Sequence, residues 1–131
     1  MTIGLFRELL LISIGKRDSF SKVPSSGDWQ ALFAMSRKQA LLGICFGGIQ
    51  TLVKSHPESF SNLPVNLKMQ WIGIAAMVQD RNCLMNRRCV ELQRAMISDG
   101  FKTCILKGQG VASFYGSLAL HRQSGDIDIF V

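Results

Sequence analysis

Side chains that commonly hold metals are scarce in this chain. It has two histidines, His56 and His121, and four cysteines, Cys45, Cys83, Cys89 and Cys104, with no CxxC pair among them. That excludes a zinc site of ordinary spacing as the organising feature. The same spacing gives no disulfide framework, so the expectation is a cytoplasmic protein with reduced thiols that behave as small buried hydrophobes. No run of 18 apolar residues occurs, and no membrane span is expected. The opening residues 1–8 lack a basic leader, and Arg7 and Glu8 interrupt their apolar run, so no signal peptide is expected. Internal repeats and low-complexity tracts are also missing.

What is present is an apolar, basic chain. Its 131 residues suit one domain with a real core, and 47% hydrophobic against 18% charged residues is a globular composition. The net charge of +6, from 15 basic and 9 acidic residues, fits an anionic partner such as a nucleotide or nucleic acid. It fits a solvated basic surface equally well, and charge alone does not choose between them.

Most of the chain reads as helix. Residues 2–15 repeat Leu5, Leu9 and Ile12 at helical spacing, and Gly15 is a plausible stop. After a polar loop with Pro24, Asp28 can cap a second helix that begins at Trp29. Its buried stripe is Trp29, Leu32, Phe33, Ser36, Ala40, Gly43 and Ile44. The stretch from Leu41 to Ile49 is apolar almost all round, which predicts burial on all sides. Within it Gly47-Gly48 predicts either a break or a close helix–helix approach. Pro64 fits the first position of a long helix over about 65–99, with Gly100 just past its end. That helix carries the stripe Leu67, Trp71, Ile74, Ala75, Val78, Asn82, Met85, Cys89, Leu92 and Met96. Arg81, Arg87, Arg88 and Arg94 scatter round it as a solvated or phosphate-facing surface.

The character changes after Gly100. Phe101–Leu106 is short and β-capable, Lys107-Gly108-Gln109-Gly110 is a glycine turn, and residues 111–120 make a short helix. In that helix Phe114 and Tyr115 read as core. A polar connector, residues 121–125 with His121 as a surface residue, then leads to Gly125-Asp126-Ile127-Asp128-Ile129-Phe130-Val131. In a strand, side chains alternate between faces, so Asp126 and Asp128 share one face and Ile127, Ile129 and Val131 the other. Aspartate is depleted in strands, and two carboxylates on one face repel unless a cation or proton lies between them. Paired oxygen ligands of this kind suit Mg²⁺, and phosphoryl or nucleotidyl transfer uses such a pair to neutralise phosphate charge. The turn adds a backbone that can approach a phosphate closely, a helix N-terminus with free N–H groups, and the Lys107 charge. Arg122 is placed to pair with a carboxylate, to hold a phosphate bidentately, or simply to be solvated.

Leu106-Lys107-Gly108, a short helix with Tyr115, Arg122 and Gly125-Asp126-Ile127-Asp128 together resemble an uncharacterised bacterial nucleotidyltransferase family. That family lies within the DNA polymerase β-like nucleotidyltransferase superfamily. The resemblance is close over about residues 101–131. It implies that Asp126 and Asp128 hold Mg²⁺ (or Mn²⁺) and are the catalytic carboxylates. It also implies that Gly108 and the turn after it, Gln109 and Gly110, approach the triphosphate of an NTP; Lys107 and Arg122 match positions typical of the narrower family, and their charges are expected to bind its phosphates. Two departures stand out. Gln109 occupies a position where many superfamily members carry Ser, and the interval from Gly108 to Asp126 is longer than the commonest one. The superfamily also uses a third carboxylate on a later strand, which this chain does not reach.

The expected fold is α+β, with a helical region over 1–99 packed on the first part of a nucleotidyltransferase core over 100–131. The expected reaction is Mg²⁺-dependent transfer of NMP from an NTP to an unknown acceptor hydroxyl. Two alternatives stay open: a metal-dependent glycosyltransferase with an Asp-x-Asp site, and a non-catalytic helical interaction module. Because the chain stops at Val131, inside what reads as a core strand, the expectation is a truncated domain that is inactive alone. An open edge carrying Ile129, Phe130 and Val131 would recruit other chains, so self-association through this strand is expected and light scattering would detect it.

Overall fold

The computed structural model describes residues 2–123 and 125–131; Met1 and Ser124, a member of the polar connector, lie outside the described residues. The described chain is mostly helical, with a small two-stranded antiparallel sheet near its C-terminus, which is the α+β class expected. The helices are α1 (Thr2–Ser13), α2 (Ser26–Lys38), α3 (Leu42–Ser55), α4 (Val65–Ser98) and α5 (Lys107–Ala112). The strands are β1 (Cys104–Leu106) and β2 (Asp128–Phe130), and 3-10 turns cover Pro57–Phe60 and Ser113–Leu118. The chain forms two compact units, Met1–Ala76 and Met77–Val131.

The first unit is an aromatic-centred helical core. Leu5, Leu9 and Ile12 of α1 are buried as their spacing predicts, together with Trp29, Leu32 and Phe33 of α2. Trp29 sits at the centre: it stacks on Phe60 at 5.6 Å between ring centroids and meets Phe20 and Trp71 edge-on at 5.8 and 6.2 Å. Trp71 donates its indole N–H to the Leu42 carbonyl at 3.0 Å, so its polar atom is satisfied inside the core. Each such large side chain stabilises the unit by about 1.5–3 kcal/mol through burial. Cys45 lies among them, and burial pushes its thiol up to about 11, with a hydrogen bond to Ser36 acting in the opposite direction.

Helix boundaries differ from expectation in two instructive places. Helix α2 starts at Ser26 rather than Trp29, because Ser25 is its N-cap and Asp28 is the third residue of a capping box. Asp28 still caps, through its carboxylate on the Ser25 N–H at 2.9 Å. The expected break at Gly47-Gly48 lies elsewhere. Helix α2 ends at Lys38 with Ala40 in the left-handed region (φ 57°), and the Ala40 and Leu41 N–H groups bond the Arg37 and Ser36 carbonyls. This is the Schellman arrangement, with alanine where glycine is usual. Helix α3 then runs unbroken through Gly47-Gly48. There the close-approach alternative holds: a Cβ on Gly48 would meet Ser13 Oγ and, at 3.2 Å, the Leu9 carbonyl of α1.

The second unit contains the C-terminal part of α4, the sheet and α5. Helix α4 ends at Ser98 in another Schellman turn, with Gly100 at φ 87° and the Phe101 N–H on the Met96 carbonyl at 3.0 Å. Its predicted stripe holds: Asn82, Met85 and Cys89 are buried, and Val78, Leu92 and Met96 half-buried. Strands β1 and β2 pair Cys104 with Phe130, Ile105 with Ile129 and Leu106 with Asp128. Three readings fail in this unit. Phe114 is 88% exposed and Tyr115 40%, so neither is core. Their segment, Ser113–Leu118, is a 3-10 turn kinked at Gly116 rather than the second half of an amphipathic helix, which leaves no regular buried face. Cys83 and Cys104 are exposed, so only Cys45 and Cys89 behave as buried hydrophobes.

Candidate functional site

The acid strand is shorter than expected: β2 covers Asp128–Phe130, so Asp126 lies two residues ahead of it, although exposure still alternates. Asp126, Asp128 and Phe130 are exposed, while Ile127 and Ile129 are half-buried. Cross-strand partners share a face, so Ile105 lies with Ile129, and Leu106 and Cys104 lie with Asp128 and Phe130. Asp128 thus projects from the open face of the sheet, and Asp126, two residues ahead of β2, is exposed as well. Among the described residues no ion pair joins Arg122, or any other cation, to either acid.

Strand β1 carries the chain directly into the glycine turn. Leu106 is extended (φ −101°, ψ 158°), and α5 begins at the next residue, so the turn is the first turn of the helix itself. Lys107 adopts a left-handed conformation (φ 47°), a costly state for a residue with a Cβ. Gly108 is non-helical, and a Cβ on it would lie 3.4 Å from the Asp126 carbonyl oxygen. The turn therefore rests against the backbone of the first acid. Gly110 is tighter still: its Cβ would sit 2.5 Å from the Ile105 carbonyl oxygen. Lys107 is exposed, Gly108 and Gly110 are half-buried, and Gln109 is buried.

The Gln109 side chain does not face the acids. Its amide N–H donates to Asn86 Oδ1 on α4, and its own Oε1 is buried without a partner among the described residues. It borders a cavity of about 310 Å³ between α4, β1 and α5, lined also by Cys89, Val90 and Ile105. Because Ile105 lines it, this cavity lies on the sheet face opposite Asp128. Burial pushes the Cys89 thiol upward.

The connector is held from α4 as well. Asn82 is fully buried, and its Nδ2 donates to the Leu120 carbonyl at 2.8 Å and the Arg122 carbonyl at 2.6 Å. Arg122 is therefore anchored by its main chain, with a half-buried side chain. His121 is half-buried rather than a plain surface residue, and desolvation lowers its pKa. Asn82 and Asn86 were not legible as site residues. The one signal was an asparagine inside an otherwise apolar stripe.

The sequence-predicted pieces therefore adjoin: Lys107, Gly108 and Gly110 follow the end of β1, Asp128 begins its hydrogen-bonded partner, and the Asp126 main chain lies against Gly108. Residues 25–131 match the model of a family described as uncharacterised nucleotidyltransferase. The chain belongs to that family. A comparison with curated proteins and one with solved structures give no match. Family membership makes the coarse activity nucleotidyl transfer and the substrate a nucleotide. No helix among the described residues is long and apolar enough to cross a membrane.

The donor set of this nucleotidyltransferase unit fits a hard divalent cation. Two exposed aspartates, two residues apart, lie beside a glycine turn. Mg²⁺ is commonly bound through one or two carboxylates, with water and phosphate oxygens completing its shell. No group of three or more His, Cys, Asp or Glu occurs among the described residues, so an all-protein cage is not formed there.

Proposed function

We propose that this unit transfers a nucleoside monophosphate from an NTP to an acceptor hydroxyl, with the Gly108 turn and the Asp126–Asp128 strand forming the nucleotide half of the site. One observation carries the reading. The β1–β2 register sets Leu106 opposite Asp128, and Gly108 rests against the Asp126 carbonyl. A turn that admits a phosphate is thereby joined to a strand that admits its counter-ion.

Asp126 and Asp128 would hold Mg²⁺ or Mn²⁺. That ion, when bound, supplies the positive charge that offsets charge building on the phosphates. Lys107 adds a cation at the mouth of the turn. Gly108 and Gly110 let the main chain approach the triphosphate, and Gln109 contributes main chain only, since its side chain is engaged with Asn86. Arg122, anchored by its main chain to Asn82, would bring its guanidinium to a phosphate. In the transfer, the acceptor oxygen bonds the α-phosphorus and the bond from that phosphorus to the bridging oxygen breaks. The electron pair leaves with pyrophosphate, and the hydroxyl proton is lost to a base or to water. The described residues ahead of β1 are helical, so nothing favours the glycosyltransferase alternative, which needs a nucleotide-binding α/β region there.

Titration with Mn²⁺, followed by electron paramagnetic resonance, tests the reading directly. Asp126→Asn and Asp128→Asn should each weaken Mn²⁺ binding by at least about tenfold, equivalent to 1.4 kcal/mol. Calorimetric titration of Mg²⁺·NTP should show Lys107→Ala weakening nucleotide binding with little effect on Mn²⁺ alone. A double Asp126→Asn/Asp128→Asn variant that binds Mn²⁺ like the wild type would sink the proposal and favour the interaction module.

A further inference from the structure

Two asparagines one turn apart on α4 each reach a different piece of the site. Residues four apart lie on one helix face, about 6 Å along the axis. Asn82 donates to the carbonyls of Leu120 and Arg122, in the connector that leads to Asp126. Asn86 accepts from Gln109 in the glycine turn. These contacts span 38, 40 and 23 residues of sequence.

Asn82 is costly unless it does something an apolar residue cannot. Its stripe neighbours Met85 and Cys89 are apolar and buried, and leucine would serve packing at its position equally well. Burying an amide whose Oδ1 accepts nothing from a described residue carries a desolvation penalty. What the amide supplies is a pair of N–H donors converging on two carbonyls of an irregular segment. Without them, both carbonyls would lose the only hydrogen bonds recorded for them in the described structure.

We infer that Asn82 and Asn86 are positioning residues, a two-rung amide ladder on α4 that sets the acid strand and the glycine turn at a fixed spacing. Asn82 holds the lead-in to Asp126 and Asp128. Asn86, through Gln109, holds the turn at Gly108–Gly110. Neither touches the nucleotide. The catalytic meaning of this ladder rests on the nucleotidyl-transfer reading above; its mechanical meaning does not.

Hydrogen–deuterium exchange on the whole chain, read by mass spectrometry, tests the ladder. Asn82→Asp keeps the side-chain shape but withdraws both donors. Asn86→Ala removes the second rung from an exposed position and serves if Asn82→Asp folds poorly. Met85→Ala deletes buried packing from the same helix and leaves both amides, so it reports what general destabilisation does. At temperatures equally far below each melting point, Asn82→Asp should speed exchange of residues 126–131 at least tenfold. Asn86→Ala should do the same for residues 107–112, with Met85→Ala within threefold of wild type in both segments. If Met85→Ala loosens these segments as much as the asparagine variants, or if they stay protected in both variants, the ladder is overturned. Mn²⁺ affinity is the second readout: Asn82→Asp should bind at least tenfold more weakly and Met85→Ala should not. A wild-type chain that binds no Mn²⁺ counts against the nucleotidyl-transfer reading, and the exchange result still decides the ladder.

Discussion

Replacing Gly110 by alanine sets two physical effects against each other, and their signs differ. Gly110 lies inside α5, where helix propensity alone favours alanine by about 0.8–1 kcal/mol. Sterics oppose it. The new Cβ would stand 2.5 Å from the Ile105 carbonyl oxygen and 3.3 Å from its carbonyl carbon. An ordinary carbon–oxygen contact is nearer 3.3 Å, so about 0.8 Å must be found between two main chains, neither of which can swing aside as a side chain could. Overpacking of this kind costs about 1–3 kcal/mol and sometimes more. We take the upper part of that range, because the clash is backbone on backbone, and expect a net loss of about 2 kcal/mol. For a chain of this length that lowers the melting temperature by roughly 6–10 °C in a circular dichroism melt. Gly73→Ala is the control. Gly73 lies inside α4 with nothing within 4 Å of a Cβ added there, so propensity acts unopposed and the variant should gain up to about 1 kcal/mol. The close strand–turn approach would be refuted if Gly110→Ala were as stable as the wild type, because propensity would then outweigh a contact that does not exist.

Two further outcomes follow from single residues. Lys107 holds a left-handed conformation that costs a residue with a Cβ about 1–2 kcal/mol, and glycine escapes this at about 0.4–1 kcal/mol of extra unfolded-state entropy. Lys107→Gly should therefore be more stable than Lys107→Ala by about 0.5–1 kcal/mol in urea denaturation, while both lose nucleotide affinity to the same extent; equal stability of the two would contradict the strain. Desolvation lowers the His121 pKa in the folded protein, so the unfolded chain binds the proton more tightly. By linkage, stability should be full above the unfolded value of about 6.5 and fall as pH drops through it. Measured from pH 7.5 to 5, His121→Gln should lose less stability than the wild type, and a steeper loss in the variant would reverse the sign.

Regular periodicity made the first unit legible. Leu5, Leu9 and Ile12, then Trp29, Leu32 and Phe33, declare their faces through spacing alone. Where the chain departs from common turn chemistry, the sequence misleads. The α2–α3 break falls at Ala40 because a Schellman turn can close on alanine, while the conspicuous Gly47-Gly48 pair serves packing against α1. In the second unit the site's outline was readable, since an Asp-x-Asp strand and a glycine turn are short local patterns. Their supports were not. A hydrogen bond from Asn82 to the Leu120 carbonyl crosses 38 residues and leaves no local trace beyond one polar residue in an apolar stripe. Phe114 and Tyr115 misled for a related reason. Aromatic side chains are expected to be buried, but the 3-10 turn that carries them has no 3.6-residue face to hide them.

The two kinds of failure differ in distribution, and that difference bears on where the chemistry lies. Between residues 2 and 76 costly features also occur, at separate places in the chain: Ala40 is left-handed, Gly48 has no room for a methyl group, and the Trp29 indole N–H is buried with no described partner. Between residues 82 and 128 they lie close together. A lysine is left-handed, a glycine has no room for a methyl group, and Asn82 and Gln109 bury acceptors that nothing described satisfies. Two like charges, Asp126 and Asp128, also stand two residues apart. Sequences tend to be locally consistent except where function requires otherwise. Strain, buried amides and paired acids would each be weak alone, since each has an ordinary structural explanation. All of them act on the same short distance between the end of β1 and the start of β2. That adjacency is what supports the proposed site, in which a phosphate turn stands beside two carboxylates.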